Sequence, residues 1–257
     1  MDRKLLKAKA WTGPILVLAV LSALCIATTA QEETSDDWVK KGNDLMTAKS
    51  TEEALEAYNK ALQMDPQNES ILLCKALALD ILKLQSTTKA LGIVEKKLEK
   101  NPQDALAWQA KGAALAYMDI MDEANQSFEK AIEIYDREIE TNPRNGTAWW
   151  HKAENLANLQ RNEDALYAYN KVIELNYSAR IAVAWATKGG ILAYLGRFNE
   201  SLAAYDRSID LDPNNPITWF GKSSTLREMG RTEEAEDAYA RANELGWDSK
   251  AGLIQSF

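Results

Sequence analysis

Apolar and small positions along the chain follow a pattern that occurs six times. Each copy starts with a large apolar residue, followed after three positions by Lys, after four by a small residue and after seven by Leu. The copies start at Trp38, Leu72, Trp108, Trp149, Trp185 and Trp219. Intervals of 34 to 41 residues separate them, and self-similarity at this spacing is typical of repeat proteins.

A second pattern follows each copy of the first. It has a small residue, an aromatic or apolar residue four positions later, and usually a small residue three positions after that. The six sets are Ala54/Tyr58/Ala61, Ala90/Val94/Lys97, Ala124/Phe128/Ala131, Ala165/Tyr169/Val172, Ser201/Tyr205/Ser208 and Ala235/Tyr239/Ala242. Spacings of three and four place residues on one helical face, so each unit is predicted to be two amphipathic helices, A and B.

Three insertions interrupt the spacing, and one of them, of two residues near Asn176–Ile181, is predicted to lengthen the link to the fifth unit. Seven extra residues around Tyr135–Thr141 correspond to nearly two helical turns, so helix B of the third unit is predicted to be long and to protrude. Two extra residues near Leu84–Thr88 are predicted to lengthen the turn between helices A and B of the second unit.

These residues resemble the tetratricopeptide repeat family over residues 35–247. The resemblance implies an all-α fold, a right-handed α-solenoid (superhelix) of six helix–turn–helix units. The expected units are 35–68, 69–104, 105–145, 146–181, 182–215 and 216–247, and a short C-terminal capping helix is expected over 248–257. One departure is the Lys before each small residue, where the family usually has Leu.

The first 30 residues differ from the repeats and precede a short linker, 31–34. Arg3, Lys4, Lys7 and Lys9 come before an uncharged apolar run, 15–27. This order is typical of a secretory signal peptide, although the uncharged stretch 10–31 is also long enough for an uncleaved signal anchor. Both alternatives predict extracytoplasmic repeats, secreted or held at a membrane by the N-terminal segment.

Charge restricts the class of partner. The chain has a formal net charge of −8, and residues 1–30 hold four basic residues and one acidic residue, so the remainder carries −11. An acidic surface repels phosphate backbones and anionic lipid, which predicts no nucleic-acid binding and membrane contact only through the N-terminal segment. The six repeated lysines either form a basic ladder or lay their stems along the packing seam with their ammonium groups near acids.

Five Asn-x-Ser/Thr sequons have two interpretations. They begin at Asn68, Asn125, Asn145, Asn176 and Asn199. They indicate possible N-glycans on an exported surface, or they reflect the frequent use of Asn and Ser in repeat turns.

The sequence offers no catalytic, cofactor-binding or metal-ligating constellation. It contains one histidine, His151, and two cysteines, Cys25 and Cys74. A lone His without a Cys pair does not make a typical zinc site, and no nucleophile or orienting group accompanies it. The chain is therefore predicted to be a non-enzyme without a cofactor.

The resemblance implies that the A helices line a concave groove that binds a peptide or partner protein. The positions that follow each large apolar residue supply the candidate residues. The predicted groove residues are Val39, Asn43, Tyr117, Trp150, Glu154, Tyr194, Phe220 and Arg227. The aromatic members are expected to be partner anchors, or alternatively to pack against neighbouring A helices. The predicted function is an exported protein-interaction scaffold; the alternative is a cell-envelope structural or assembly factor anchored by the N-terminal segment.

Overall fold

The computed structural model describes residues 33–177 and 180–247, and the secondary structure of these residues consists of eleven α-helices. The helices are α1 (Ser35–Thr47), α2 (Thr51–Met64), α3 (Glu69–Lys100), α4 (Ala105–Tyr117), α5 (Met121–Thr141), α6 (Gly146–Asn158), α7 (Asn162–Glu174), α8 (Ile181–Tyr194), α9 (Phe198–Leu211), α10 (Pro216–Glu228) and α11 (Thr232–Glu244). The predicted all-α repeat architecture is confirmed.

Three predictions concern residues outside the described part. The signal segment 1–30 and the capping helix 248–257 lie wholly outside it, and the linker 31–34 lies half outside. They remain predictions. Within residues 33–177 and 180–247, none of the helices has the length and apolar character needed to cross a bilayer.

The described residues form two compact units, the first ending at residue 86 and the second starting at residue 87. In the described part of the first unit, α1 pairs with α2. Its core contains Ala54, Tyr58, Ala61, Ile71 and Ala78, all of which are buried. The second unit contains four hairpins in chain order, α4–α5, α6–α7, α8–α9 and α10–α11.

Three hairpins pair a glycine of helix A with the aromatic residue of helix B. A Cβ atom added to Gly112 would lie 2.6 Å from the Phe128 ring, and one added to Gly189 would lie 3.0 Å from the Tyr205 ring. The same relation holds in the first unit, where a Cβ on Gly42 would lie 2.5 Å from Tyr58. The two sequence patterns thus describe the two faces of one helix–helix contact, as predicted.

A residue in the left-handed region ends each helix A that turns into a helix B. These residues are Lys49, Asp119, Gln160, Gly196 and Gly230, with φ values from 56° to 74°. After the turn, the first residues of helix B donate backbone hydrogen bonds back to the turn. A left-handed residue is a common way to end a helix, because it redirects the chain and lets the next amides reach the last carbonyls.

The second predicted unit differs from the others. The expected turn near Leu84–Thr88 is wrong, because α3 runs without interruption for 32 residues. None of its residues has a positive φ, and the stretch 80–90 contains no Gly, Pro or Asn to favour a turn. Consequently Leu72, Leu79 and Ala90, which would pair in a hairpin, are exposed.

The insertion in the third unit lengthens α5 to 21 residues, as predicted. The expectation that this extension would protrude is wrong, because Ile134, Tyr135 and Ile139 are buried. The Tyr135 ring stacks on His151 of α6, with ring centroids 5.5 Å apart. The extra residues continue the apolar stripe of α5, so this stripe packs instead of standing in solvent.

Repeated polar contacts tie successive hairpins together in the second unit. The indole N–H groups of Trp108, Trp149 and Trp219 each donate to the carbonyl of the proline six residues earlier, at 2.8 to 3.0 Å. Arg161 binds Asp164 on its own helix at 2.8 Å and reaches back to Glu129 at 3.3 Å. Arg197 repeats this arrangement with Glu200 and Glu163.

Candidate partner-binding surface

The predicted groove residues lie in both units and have different environments. In the first unit, Val39 is half-buried against the core, and Asn43 accepts a 2.8 Å hydrogen bond from the Tyr58 hydroxyl. The remaining six candidates belong to the second unit. Each unit is therefore considered by itself, and the surface described below is confined to the second.

Two tyrosines of the second unit are exposed. Tyr117 is the last residue of α4, and Tyr194 is the last residue of α8. Tyr194 has 74% of its surface accessible and Tyr117 has 49%. The A–B contacts of these hairpins use Gly112 and Gly189, so neither tyrosine is needed to close its own hairpin.

Trp150 is not an exposed partner anchor, contrary to the first of the two interpretations of the aromatic groove residues. Only 4% of its surface is accessible. The Tyr169 ring packs edge-on against it with centroids 5.6 Å apart, and the Arg180 guanidinium lies 5.2 Å from its ring centroid. These neighbours come from the next helix and the following link, so Trp150 packs within the fold and is not a free anchor.

Phe220 is also packed, although less completely. It is half-buried and stacks on Trp247 with centroids 4.2 Å apart. Tyr239 lies on another side at 6.4 Å. Arg227, near the end of the same helix, is exposed. Trp150 and Phe220 therefore pack within the fold, as the second interpretation expects, whereas the Tyr117 and Tyr194 side chains are exposed.

Glu154 lies on α6 in a polar environment. Its Oε2 atom accepts a hydrogen bond from Gln109 Nε2 at 3.2 Å and lies 2.9 Å from His151 Nδ1. Burial raises the pKa of the Glu154 carboxyl, but the hydrogen bonds from His151 and Gln109 outweigh burial, so its pKa lies below the usual value. Glu154 is therefore a carboxylate at neutral pH.

Four of the six repeated lysines have polar partners on the preceding helix. Lys111 pairs with Glu95 of α3 at 3.0 Å, and Lys222 pairs with Asp206 of α9 at 2.6 Å. Lys152 pairs with Asp136 in the same way, and Lys188 donates to Asn170 at 2.7 Å. Each of these ammonium groups also lies over the tryptophan that starts its copy. This supports the interpretation in which the lysine stems cover the packing seam.

Several sequon asparagines have roles in turns. Asn145 caps α6 by accepting from the Ala148 amide at 3.1 Å. Asn68 accepts from the Ser70 amide at 3.1 Å at the start of α3, and Asn176 adopts a left-handed φ of 50°. This supports turn chemistry at these three positions.

Sequence reasoning missed Tyr135, which is buried against His151 beside Glu154. It lies on helix B, in the insertion, whereas the candidate residues were sought on the A helices. An aromatic residue inside an insertion of nearly two turns was the available signal. No group of three or more His, Cys, Asp or Glu side chains placed to hold a metal occurs within the described ranges.

Comparisons with known proteins agree with this architecture. Models of the tetratricopeptide repeat match residues 38–68, 122–179 and 187–250, which together make up more than half of the chain. No curated protein matches it.

Solved structures with similar folds have low sequence identity. MamA of strain MSR-1 is 22% identical, with a TM-score of 0.45, over 63% of this chain and 88% of that one. A chain of the APC/C hetero-tetramer Cut9–Hcn1 is 19% identical, with a TM-score of 0.49, over 85% of this chain and 40% of that one. YrrB, described as a TPR protein with an unusual peptide-binding site, is 19% identical, with a TM-score of 0.44, over 91% of this chain and 97% of that one.

The helical hairpins, the recurring contact between small and aromatic residues and the family matches lead to one assignment. The chain belongs to the tetratricopeptide repeat family, whose members are in general non-enzymatic scaffolds for protein–protein interaction.

Proposed function

We propose that this chain binds a peptide or an extended segment of a partner protein along the A-helix surface of its second unit. Binding involves no covalent chemistry. The observation that carries the proposal is the exposure of Tyr117 and Tyr194 at equivalent ends of two A helices. Tyrosines supply large contact areas at low entropic cost, which makes them frequent anchors at interfaces.

Packing does not account for these two side chains. The contact within each hairpin is made by Gly112 with Phe128 and by Gly189 with Tyr205. Glu154 and Arg227 add charge of both signs to the same series of helices. The proposed surface therefore combines exposed aromatic rings with charged groups and does not include the buried Trp150 as an anchor.

A double substitution tests this proposal. A random peptide library is selected against the full chain, and the affinity of the selected peptides is measured by fluorescence polarisation. Tyr117→Ala together with Tyr194→Ala is expected to weaken binding at least about tenfold, since anchor residues carry most of the binding energy. The melting temperature should be nearly unchanged, because exposed side chains contribute little to stability.

Tyr167→Ala is the matched control. Tyr167 is a comparably exposed tyrosine, with 56% of its surface accessible, but it lies on helix B of its hairpin. Peptide binding should survive its removal. Equal binding by the wild-type protein and the Tyr117/Tyr194 variant would refute the proposed surface.

We further propose that the N-terminal segment directs the repeats out of the cytoplasm. The supporting observation is the order of basic residues 3–9 followed by the uncharged stretch 10–31. The length of that stretch also favours the second candidate function, an envelope structural or assembly factor held by an uncleaved anchor. N-terminal sequencing of the native protein separates the two: a start near residue 31 indicates cleavage, and a start at Met1 indicates an anchor. Complete accumulation in the cytoplasm would contradict both.

A further inference from the structure

Glu154 has no lysine or arginine partner among the described residues. Its Oε2 atom lies 2.9 Å from His151 Nδ1 and accepts a hydrogen bond from the neutral amide of Gln109. Both contacts end on Oε2, which leaves the lone pairs of Oε1 for another donor. Most of the other acids on this unit that form ion pairs do so with Lys or Arg, as Asp136, Glu163 and Asp206 do.

Packing of the repeat does not demand a carboxylate at this position. The residue that follows the small slot of helix A is neutral in the other five copies. These residues are Asn43, Leu77, Ala113, Gly190 and Ser224. A half-buried acid is costly unless a cation or several donors compensate it, so its occurrence only in the fourth unit indicates a local role beyond folding.

Two buried acceptor atoms beside Glu154 find no hydrogen-bond partner within the described part of the chain. They are the Tyr135 hydroxyl oxygen and the Oε1 atom of Gln109. Tyr135 is only 3% exposed. Native proteins leave few buried polar atoms unpaired, because each costs about 1–3 kcal/mol, and two such acceptors next to one carboxylate indicate that a donor from another molecule completes their bonding.

Contacts tie these atoms to the carboxylate. The side-chain amide of Gln109 donates from Nε2 to Glu154, and the Oε1 atom of the same amide has no partner. The Tyr135 ring stacks on His151, which itself contacts Glu154. Trp150 lies near enough for its indole N–H to help lower the pKa of Glu154. The groups come from α4, α5 and α6 and form one site, which we call the Glu154 site: Gln109, Tyr135, Trp150, His151 and Glu154.

The electrostatic field at this site favours a cation. Burial raises the pKa of the Tyr135 phenol, and the negative charges of Glu138, Glu154 and Asp104 raise it further. A hydroxyl that senses three carboxylates stays protonated and can accept hydrogen bonds from a positively charged donor.

We propose that the Glu154 site binds the guanidinium group of an arginine side chain supplied by the partner. This inference rests on the proposed function and specifies the chemistry of the partner. A guanidinium presents five N–H donors in one plane. Glu154 Oε1, Gln109 Oε1 and the Tyr135 oxygen supply acceptors for that plane.

A small-molecule titration tests the site without a peptide. The full chain is labelled with nitrogen-15, and the indole signal of Trp150 is identified by its loss in Trp150→Phe. N-ethylguanidinium is expected to shift this signal saturably, whereas the neutral analogue N-ethylurea should bind at least about tenfold more weakly, since the charge supplies much of the attraction.

Glu154→Gln keeps the shape of the side chain and removes its charge, and it is expected to weaken N-ethylguanidinium binding by a similar factor. Glu228→Gln, at an exposed acid of α10, is the matched control and should bind like the wild-type protein. Gln109→Leu removes an acceptor without changing charge and should weaken binding severalfold. An unchanged affinity in Glu154→Gln, or equal responses to the guanidinium and the urea, would overturn the proposal.

Two decapeptide pools, identical except for arginine or citrulline at the central position, separate this inference from the proposed function. The wild-type protein should prefer the arginine pool, and Glu154→Gln should lose the preference while it still binds through Tyr117 and Tyr194. Tight binding of both pools without preference overturns the arginine site and leaves the scaffold function intact. Binding of N-ethylguanidinium without binding of either pool supports the site and contradicts the peptide-binding surface.

Discussion

At the scale of single residues, the small slots of the A helices explain why the sequence repeats so strictly. Gly42, Gly112 and Gly189 lie against the ring of an aromatic residue from helix B, with no space for a methyl group. The aromatic ring occupies the volume that any side chain would need. Sequence spacing alone predicts this contact, because both partners recur in phase in nearly every copy.

Two glycine substitutions should have opposite effects. Gly112→Ala is expected to lower the free energy of unfolding by about 1–3 kcal/mol, because the new Cβ would overlap the Phe128 ring. A Cβ atom added to Gly92, within α3, has no other atom within 4 Å. Gly92→Ala should therefore raise the free energy of unfolding by about 0.5–1 kcal/mol, because alanine favours the helix. Urea denaturation of the full chain measures both. A destabilised Gly92→Ala would mean that this part of α3 is not an open helical surface.

The candidate surface was less predictable than the core. The register of helix A places Tyr117, Trp150, Tyr194 and Phe220 on comparable faces, yet only the two tyrosines are exposed. The difference arises from neighbours that no single repeat specifies: Tyr169 and Arg180 cover Trp150, and Trp247 covers Phe220. Contacts between hairpins, which the repeat pattern does not encode, decide which aromatic residue a partner reaches.

At the scale of secondary-structure elements, α3 shows that the repeat pattern is not sufficient for a hairpin. The second copy contains both patterns, with Leu72, Ala76 and Leu79 followed by Ala90 and Val94. The turn is what differs, because the other hairpins have a left-handed residue there and α3 has none. The sequence predicts the two helical faces correctly, and it predicts their pairing only where a turn residue accompanies them.

Leucines at equivalent positions of two units test the continuity of α3. Leu156→Ala should lower the free energy of unfolding by about 2–5 kcal/mol, since Leu156 is only 1% exposed. Leu79→Ala should change it by less than about 0.5 kcal/mol, since Leu79 is 43% exposed. Thermal and urea unfolding provide the measurement. A loss of several kcal/mol in Leu79→Ala would instead favour a closed hairpin in the second unit.

At the scale of the whole molecule, stability is distributed among separate clusters. Among the described residues, the largest cluster extends from α4 to α9 around Trp149, Trp150 and Tyr169. The first unit has its own cluster around Tyr58, and Leu226 belongs to another near α11. Because residues contact mainly the neighbouring helices, stability in such arrays is a sum of local terms.

Hydrogen exchange should show this local character. In Leu156→Ala, the amides of α6 and α7 are expected to lose the most protection from exchange, and those of α5 and α8 are expected to lose less. The amides of α2 in the first unit should lose none, because local opening follows local contacts. Mass spectrometry of the full chain resolves these helices. Leu226→Ala should shift the loss to α10 and α11. An equal loss of protection in every helix would show that the chain unfolds as one cooperative body.

The uninterrupted course of α3 has a use in protein engineering. A helix of 32 residues is about 48 Å long, given a rise of 1.5 Å per residue. A designer could therefore turn a compact repeat into a rigid strut by replacing the loop residues between its helices with helix-forming ones. Sensors and assemblies that need a fixed distance between two domains could use such struts, provided that the newly exposed leucines are replaced by polar residues.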